Sequence, residues 1–154
     1  MKERIIVDSE QRNKIEELCR DQHVCVLTTL GADSPTAHLQ AFVQTEDFDL
    51  VLIMLEGSEK YSNLLLRPGA AVVVDDRDTG DVPSMQVTRA TFCGVAQEVA
   101  RGPGEWERLK RLFLAKNPFE EPFFGYEALR MVRLKTQKVS YAKGLQDTFK
   151  VQLV

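Results

Sequence analysis

Ser58 and Lys60 place a hydroxyl and an ammonium two residues apart, at what reads as the head of a short helix. The first amides of a helix have no partners inside it and carry the positive end of its dipole. Such a head therefore offers backbone donors, a hydroxyl and a cation to one anion, and a phosphate suits the set. The same serine is what a plain helix cap requires, and on these residues alone both readings stand. The flanking runs fix the position. Leu50 to Leu55 and Ala70 to Val74 are continuous apolar runs of strand length, and Pro68-Gly69 ends the helix between them.

The elements around this segment follow from periodicity. Asp8, with Gln11 three residues on, reads as a helix start, and Ile15, Leu18 and Cys19 supply its apolar stripe. Val24 to Leu30 reads as a strand, Gly31 to Pro35 as a turn and Thr36 to Thr45 as a second strand, which makes a hairpin. In the second strand Ala37, Leu39, Ala41 and Val43 alternate with Thr36, His38, Gln40, Phe42 and Gln44. One face is thus apolar, and the other mostly carries hydrogen-bonding groups suited either to a ligand or to solvent. Glu46 to Asp49 turns the chain into the third strand, so the first three strands are expected to form a meander.

Further along, Asp75 to Pro83 reads as a polar loop, and Met85 to Ala100 as one long strand bent at Gly94. Glu105 to Lys116 reads as a helix with a stripe of Trp106, Leu109, Leu112 and Phe113, followed by a loop over Asn117 to Gly125. Met131 to Ala142 and Thr148 to Val154 read as closing strands. Long helical crossovers between successive strands are absent. The pattern predicts a mainly β fold in one domain over residues 1–154: a six-stranded antiparallel split β-barrel with peripheral helices. Because the third and fourth strands are apolar on both faces, their outer faces must be covered by helices or by a second subunit, and a homodimer is expected.

Composition narrows the function. Hydrophobic residues make up 44% and charged residues 28%, as in ordinary globular proteins, and no apolar run approaches a bilayer span. Residues 1–8 lack the long apolar core of an export signal, so a cytoplasmic location is expected. With a net charge of −3 and scattered Lys and Arg, nucleic acid is a poor partner. Cys19, Cys25 and Cys93 show no CxxC spacing, and His23 and His38 sit in no ligand cluster, so neither a disulfide framework nor a protein metal site is expected.

Ser58, Lys60, Asn63, Leu64 and Pro68 together resemble a specific pattern, Ser-x-Lys-x-x-Asn-Leu-x-x-Asn-Pro, of the FMN-binding split barrels related to pyridoxamine 5′-phosphate oxidase. The order of elements is similar over roughly the first hundred residues. Arg67 stands where that pattern has Asn, and Glu59 where the oxidase has an Arg. The resemblance implies FMN as cofactor, with Ser58 and Lys60 on its phosphate. It puts His38, Leu39, Gln40 and Ala41 along the flavin, Ile53 and Met54 near the ring or ribityl chain, and Gln86 on the cofactor. Asn63 belongs to the same pattern and supports the helix.

The oxidase's carboxy-terminal signature of Arg, Trp and His is absent, so oxidation of the vitamin is not implied. The expected activity is transfer of electrons or hydride between a small substrate or nicotinamide and FMN, and no catalytic acid or base is singled out. The alternatives are a flavin-binding protein without turnover, a haem-handling split barrel and a deazaflavin-binding one. Haem usually takes an axial His, Cys, Tyr or Met, and this chain has two histidines to offer.

Overall fold

The structure is a computed structural model that describes residues 8–77, 83 and 86–153. Helix α1 (Ser9–Asp21) starts as the sequence indicates, with the Asp8 carboxylate accepting the Glu10 and Gln11 amides at 2.8 and 3.2 Å. Ile15, Leu18 and Cys19 are its buried stripe. Strands β1 (Val24–Leu30) and β2 (Pro35–Ala41) form the expected hairpin, its turn closed by the Gly31 amide donating to Ser34 O at 3.0 Å. Then follow β3 (Val43–Gln44), β4 (Leu50–Leu55), α2 (Glu59–Leu66), β5 (Gly69–Asp75) and β6 (Arg89–Val99). Helix α3 (Glu105–Lys116), a 3-10 helix (Pro118–Gly125), β7 (Leu129–Lys143) and β8 (Asp147–Gln152) complete the chain. The expected opening of the long strand at Met85 lies outside the described residues, as do parts of the Asp75–Pro83 loop and Val154.

All strands join one antiparallel sheet in the order β2-β1-β5-β6-β7-β4-β3, with β8 also on β7. The sheet has eight strands where the sequence indicates six. The expected second strand breaks at Phe42 into β2 and β3, and these lie at opposite ends of the sheet order. One residue therefore links the two ends, and the sheet curls to let it. For the same reason the expected meander stops short. Strand β3 pairs with β4, but the long neighbour of β4 is β7, with Leu50↔Leu134 through Leu55↔Leu129 in register.

Phe42 is fully buried and lies outside both ladders, so its carbonyl needs a partner from elsewhere. The Asn117 amide supplies one at 2.9 Å. The Lys116 ammonium lies 3.6 Å from the Phe42 ring centroid and donates to Cys19 O at 2.6 Å and Gln44 Oε1 at 3.1 Å. Burial pushes the Lys116 ammonium down to about 8, and it pushes the nearby Cys19 and Cys25 thiols up to about 12. The cysteines therefore sit in the core as neutral thiols.

A second anchor is electrostatic. The β4–β7 ladder ends at Leu50↔Leu134, and the buried Asp49 carboxylate accepts the Thr136 amide at 3.0 Å. Its other oxygen takes Arg133 Nε at 3.0 Å, and Arg133 also reaches Glu105 at the start of α3. The pair thus ties the β3–β4 turn, β7 and α3 together.

The outer face of β4 is covered within the chain. Val51 packs with Trp106, Leu109, Phe113, Phe124 and Met131 in a second apolar cluster beneath α3 and the 3-10 helix. The segment over Asn117 to Gly125, expected as a loop, is largely this helix, and Leu112 of the expected stripe is exposed instead of packed. Strand β5 differs from β4: Val72 and Val74 are buried, while Ala71 and Val73 on its outer face are half-buried. Among the described residues no helix is long and apolar enough to cross a membrane.

The bend expected at Gly94 is present as a register shift in the β6–β7 ladder between Cys93 and Gly94. A Cβ at Gly94 would lie 2.1 Å from Lys135 O and 2.9 Å from Thr136 Cα, both backbone atoms that cannot swing aside. Gly94→Ala should therefore cost about 3 kcal/mol or prevent folding. Denaturant unfolding is the check, and unchanged stability would mean that the bulge accommodates a methyl group.

Candidate functional site

Gln40, Ala41, Ile53, Met54, Ser58 and Lys60, named above on sequence grounds, line a single crevice of about 350 Å³. It opens at the split, where β2 and β4 approach each other without a ladder. One side-chain bond spans the gap there, with Gln40 Nε2 donating to Ile53 O at 3.3 Å. The head of α2 contributes Ser58 and Lys60 to its lining, and the 3-10 helix and the start of β7 contribute Glu120, Phe123 and Leu129.

At the head of α2, Ser58 acts as a cap. Its Oγ accepts the Tyr61 amide at 3.4 Å and donates to Leu55 O at 2.7 Å. The cap leaves the Glu59 and Lys60 amides at the head of the helix. Lys60 is half-buried, and burial holds its ammonium below the usual lysine range, with the Cys25 thiol a weaker opposing influence. No carboxylate or hydrogen-bond acceptor pairs with it among the described residues. A desolvated, unpaired cation beside free helix amides favours an anion.

The inward face of β2 is the hydrogen-bonding one. Thr36, His38 and Gln40 are partly buried opposite Thr29, Leu27 and Cys25 of β1. His38 Nε2 and Gln40 Oε1 are buried, and neither finds a hydrogen-bond partner among the described residues. Leu39 points the other way and is 69% exposed. Asn63 lies off the crevice, buried, with its amide donating to Thr29 Oγ1 at 3.0 Å and Thr36 Oγ1 at 3.3 Å. It pins α2 to the β1–β2 hairpin. Gln86 is exposed, with its amide on Pro83 O, and does not line the crevice.

Leu55, Glu120, Phe123 and Leu129 also line the crevice and had no sequence signal. Three of them come from the opposite wall, more than fifty residues along the chain, and only the closed sheet brings that wall to α2. Behind the crevice, the Tyr61 hydroxyl donates to Glu98, and Arg130 pairs with Glu56 at 2.9 Å. The bond to Glu98, then burial, raise the Tyr61 hydroxyl above its ordinary range, so it stays protonated and keeps donating.

No protein family model and no curated protein matches the chain. Solved structures do. A haem-binding protein from Mycobacterium smegmatis superposes with a TM-score of 0.81 at 18% identity, over 96% of this chain and 60% of that one. The haem storage protein HutZ from Vibrio cholerae gives 0.69 at 18% identity over 91% and 93%. A protein from Listeria innocua, provisionally described as a pyridoxamine 5′-phosphate oxidase, gives 0.67 at 16% identity over 87% and 99%. The chain has the split-barrel fold. At these identities the fold is what the split barrels share with it, and the chain spans about three fifths of the mycobacterial protein.

Within this split barrel the Asn63 pin is what sets the pose of α2. Asn63→Ala removes the donor to two threonines and should lower stability by about 1–2 kcal/mol, since the hydroxyls of buried Thr29 and partly buried Thr36 would keep only their bond to each other. Thermal or denaturant melts check this, and an unchanged midpoint would show that α2 is held from elsewhere.

Proposed function

We propose that this split barrel binds FMN in the crevice and uses it to pass electrons or hydride between a small substrate or nicotinamide and the flavin. The observation that carries the reading is Lys60: a half-buried ammonium, unpaired among the described residues, at the head of α2 in an otherwise largely apolar crevice. Lys60 and the first amides of α2 would hold the phosphate, with the Ser58 hydroxyl turning its proton from Leu55 O to a phosphate oxygen. Ala41, Ile53 and Met54 would supply apolar walls for a planar ring, and Gln40 Oε1, without a partner among the described residues, would accept a ring N–H. The crevice volume falls within the usual range for small-molecule sites. Bound FMN would supply the redox chemistry, and the chain's own groups anchor the anion, orient the ring and exclude water.

A haem reading is favoured by two observations. Two of the split barrels above are described as haem-binding or haem-storing, and His38 Nε2 is buried without a partner among the described residues. The visible spectrum of the purified protein separates the two. Flavin absorption with release of FMN on denaturation supports the first reading. A Soret band that disappears in His38→Ala supports the second, and a colourless protein that takes up neither group removes both. If FMN is the ligand, Lys60→Ala should weaken its binding by about 1.5–3 kcal/mol through loss of a charge-assisted bond, with little change in apoprotein melting. Equal affinity in the two proteins would defeat the phosphate assignment.

We also propose a homodimer, with the cofactor crevice near its seam. Support comes from the outer side of the β1, β2 and β5 region, where Val24, Leu39 and Leu30 are exposed and Val73 is half-buried. Val73→Asp should convert the dimer to monomer in sedimentation. A dimer of unchanged stability would show that this face is free.

A further inference from the structure

The crevice is lined by charges of both signs. Lys60 supplies a cation from the head of α2, and the half-buried Glu120 supplies a carboxylate from the 3-10 helix. The Glu120 carboxylate, like the Lys60 ammonium, has no ion pair or hydrogen bond among the described residues, and the two are not paired with each other. Beside Glu120, Phe123 lines the crevice and is 41% exposed. Tyr126 stands against it in an edge contact at 6.0 Å and is 54% exposed. Residues 118–127 hold no Lys or Arg, and the two guanidiniums that reach this stretch, Arg101 and Arg130, bond to the carbonyls of Tyr126, Glu127 and Leu129 and leave the Glu120 carboxylate unpaired among the described residues.

An exposed ring costs apolar contact with water, and a carboxylate at the rim of an apolar crevice is partly desolvated. Each of these is relieved by the same kind of partner. A flat cation offers a face for the ring and a charge for the carboxylate, whereas a second anion would be repelled by Glu120. Resting on the flavin reading above, we propose that the Glu120–Phe123–Tyr126 part of the crevice is the subsite for the second substrate, and that this substrate carries a planar, positively charged group such as a pyridinium. Glu120 pairs with the charge, Phe123 and Tyr126 pack against the ring, and the anion seat at Lys60 remains for the cofactor. Glu120 thereby sets specificity for the second substrate while the head of α2 sets affinity for the phosphate.

The test is calorimetric titration of the full chain, as purified and after addition of FMN, with 1-methylnicotinamide as a cationic probe and nicotinamide as its neutral counterpart. The cation should bind about tenfold more tightly than the neutral ring. Glu120→Gln should bring the two probes to near parity, and Phe123→Leu should weaken both. Equal affinity for the two probes, a cation preference that survives in Glu120→Gln, or no binding of either probe would overturn the subsite. FMN uptake is read separately by absorbance. Loss of the flavin reading with the probe preference intact, or the reverse, therefore identifies which of the two assignments has failed.

Discussion

Everything in this molecule depends on one residue that belongs to no strand. Phe42 joins the first and last strands of an eight-stranded sheet, so the sheet must bend far enough for its two ends to lie one residue apart. A residue in that position gives up its ladder bonds, and its backbone polar groups must be satisfied in the interior. The chain meets this demand from 75 residues away, with Asn117 on the Phe42 carbonyl and the neighbouring Lys116 over the ring. The end of α3 is therefore a lock on closure. The burial that lowers the Lys116 ammonium is the electrostatic cost of putting a cation there, offset in part by its bonds to Cys19 O and Gln44.

Closure also explains where the remaining strain is placed. A sheet that turns this tightly needs a bend in its longest strands, and the Gly94 bulge on β6 against β7 supplies it. The β3–β4 turn is brought against β7, where Asp49 replaces a missing rung by accepting the Thr136 amide. Arg133 then carries the same charge to the first residue of α3. A buried ion pair of this kind adds modest net stability. Losing either member is costly, because the other is left alone in the core.

What could be read in advance was local. The Asp8 and Ser58 caps, the hairpin turn at Gly31, the bend at Gly94 and the apolar run of β4 each depend on a handful of adjacent residues, and each is where the sequence puts it. The break at Phe42 left one mark, an apolar ring on the face that otherwise carries Thr36, His38, Gln40 and Gln44, but the period of two resumes at Val43 and Gln44 and conceals the change of neighbour. Nothing in a period of two says that a strand changes neighbours. The orientation of β2 was open for a related reason. Thr36, His38 and Gln40 face inward because α2 brings Asn63 to meet Thr36, a contact across 27 residues. The far wall of the crevice had no sequence signal at all. Glu120 and Phe123 sit in a stretch that reads as a loop, and their place opposite Lys60 comes from closure alone.

The two rims of the crevice are nearly continuous in the chain: Ala41 on one and Val43, paired to Val51 beside Ile53, on the other, with Phe42 between. Their separation is accordingly a backbone dimension, set by how sharply the chain turns at one buried residue. Substitutions among the lining side chains change the chemistry of what is held, but they leave the thickness of the slot untouched. A slot set in this way admits flat shapes more readily than bulky ones.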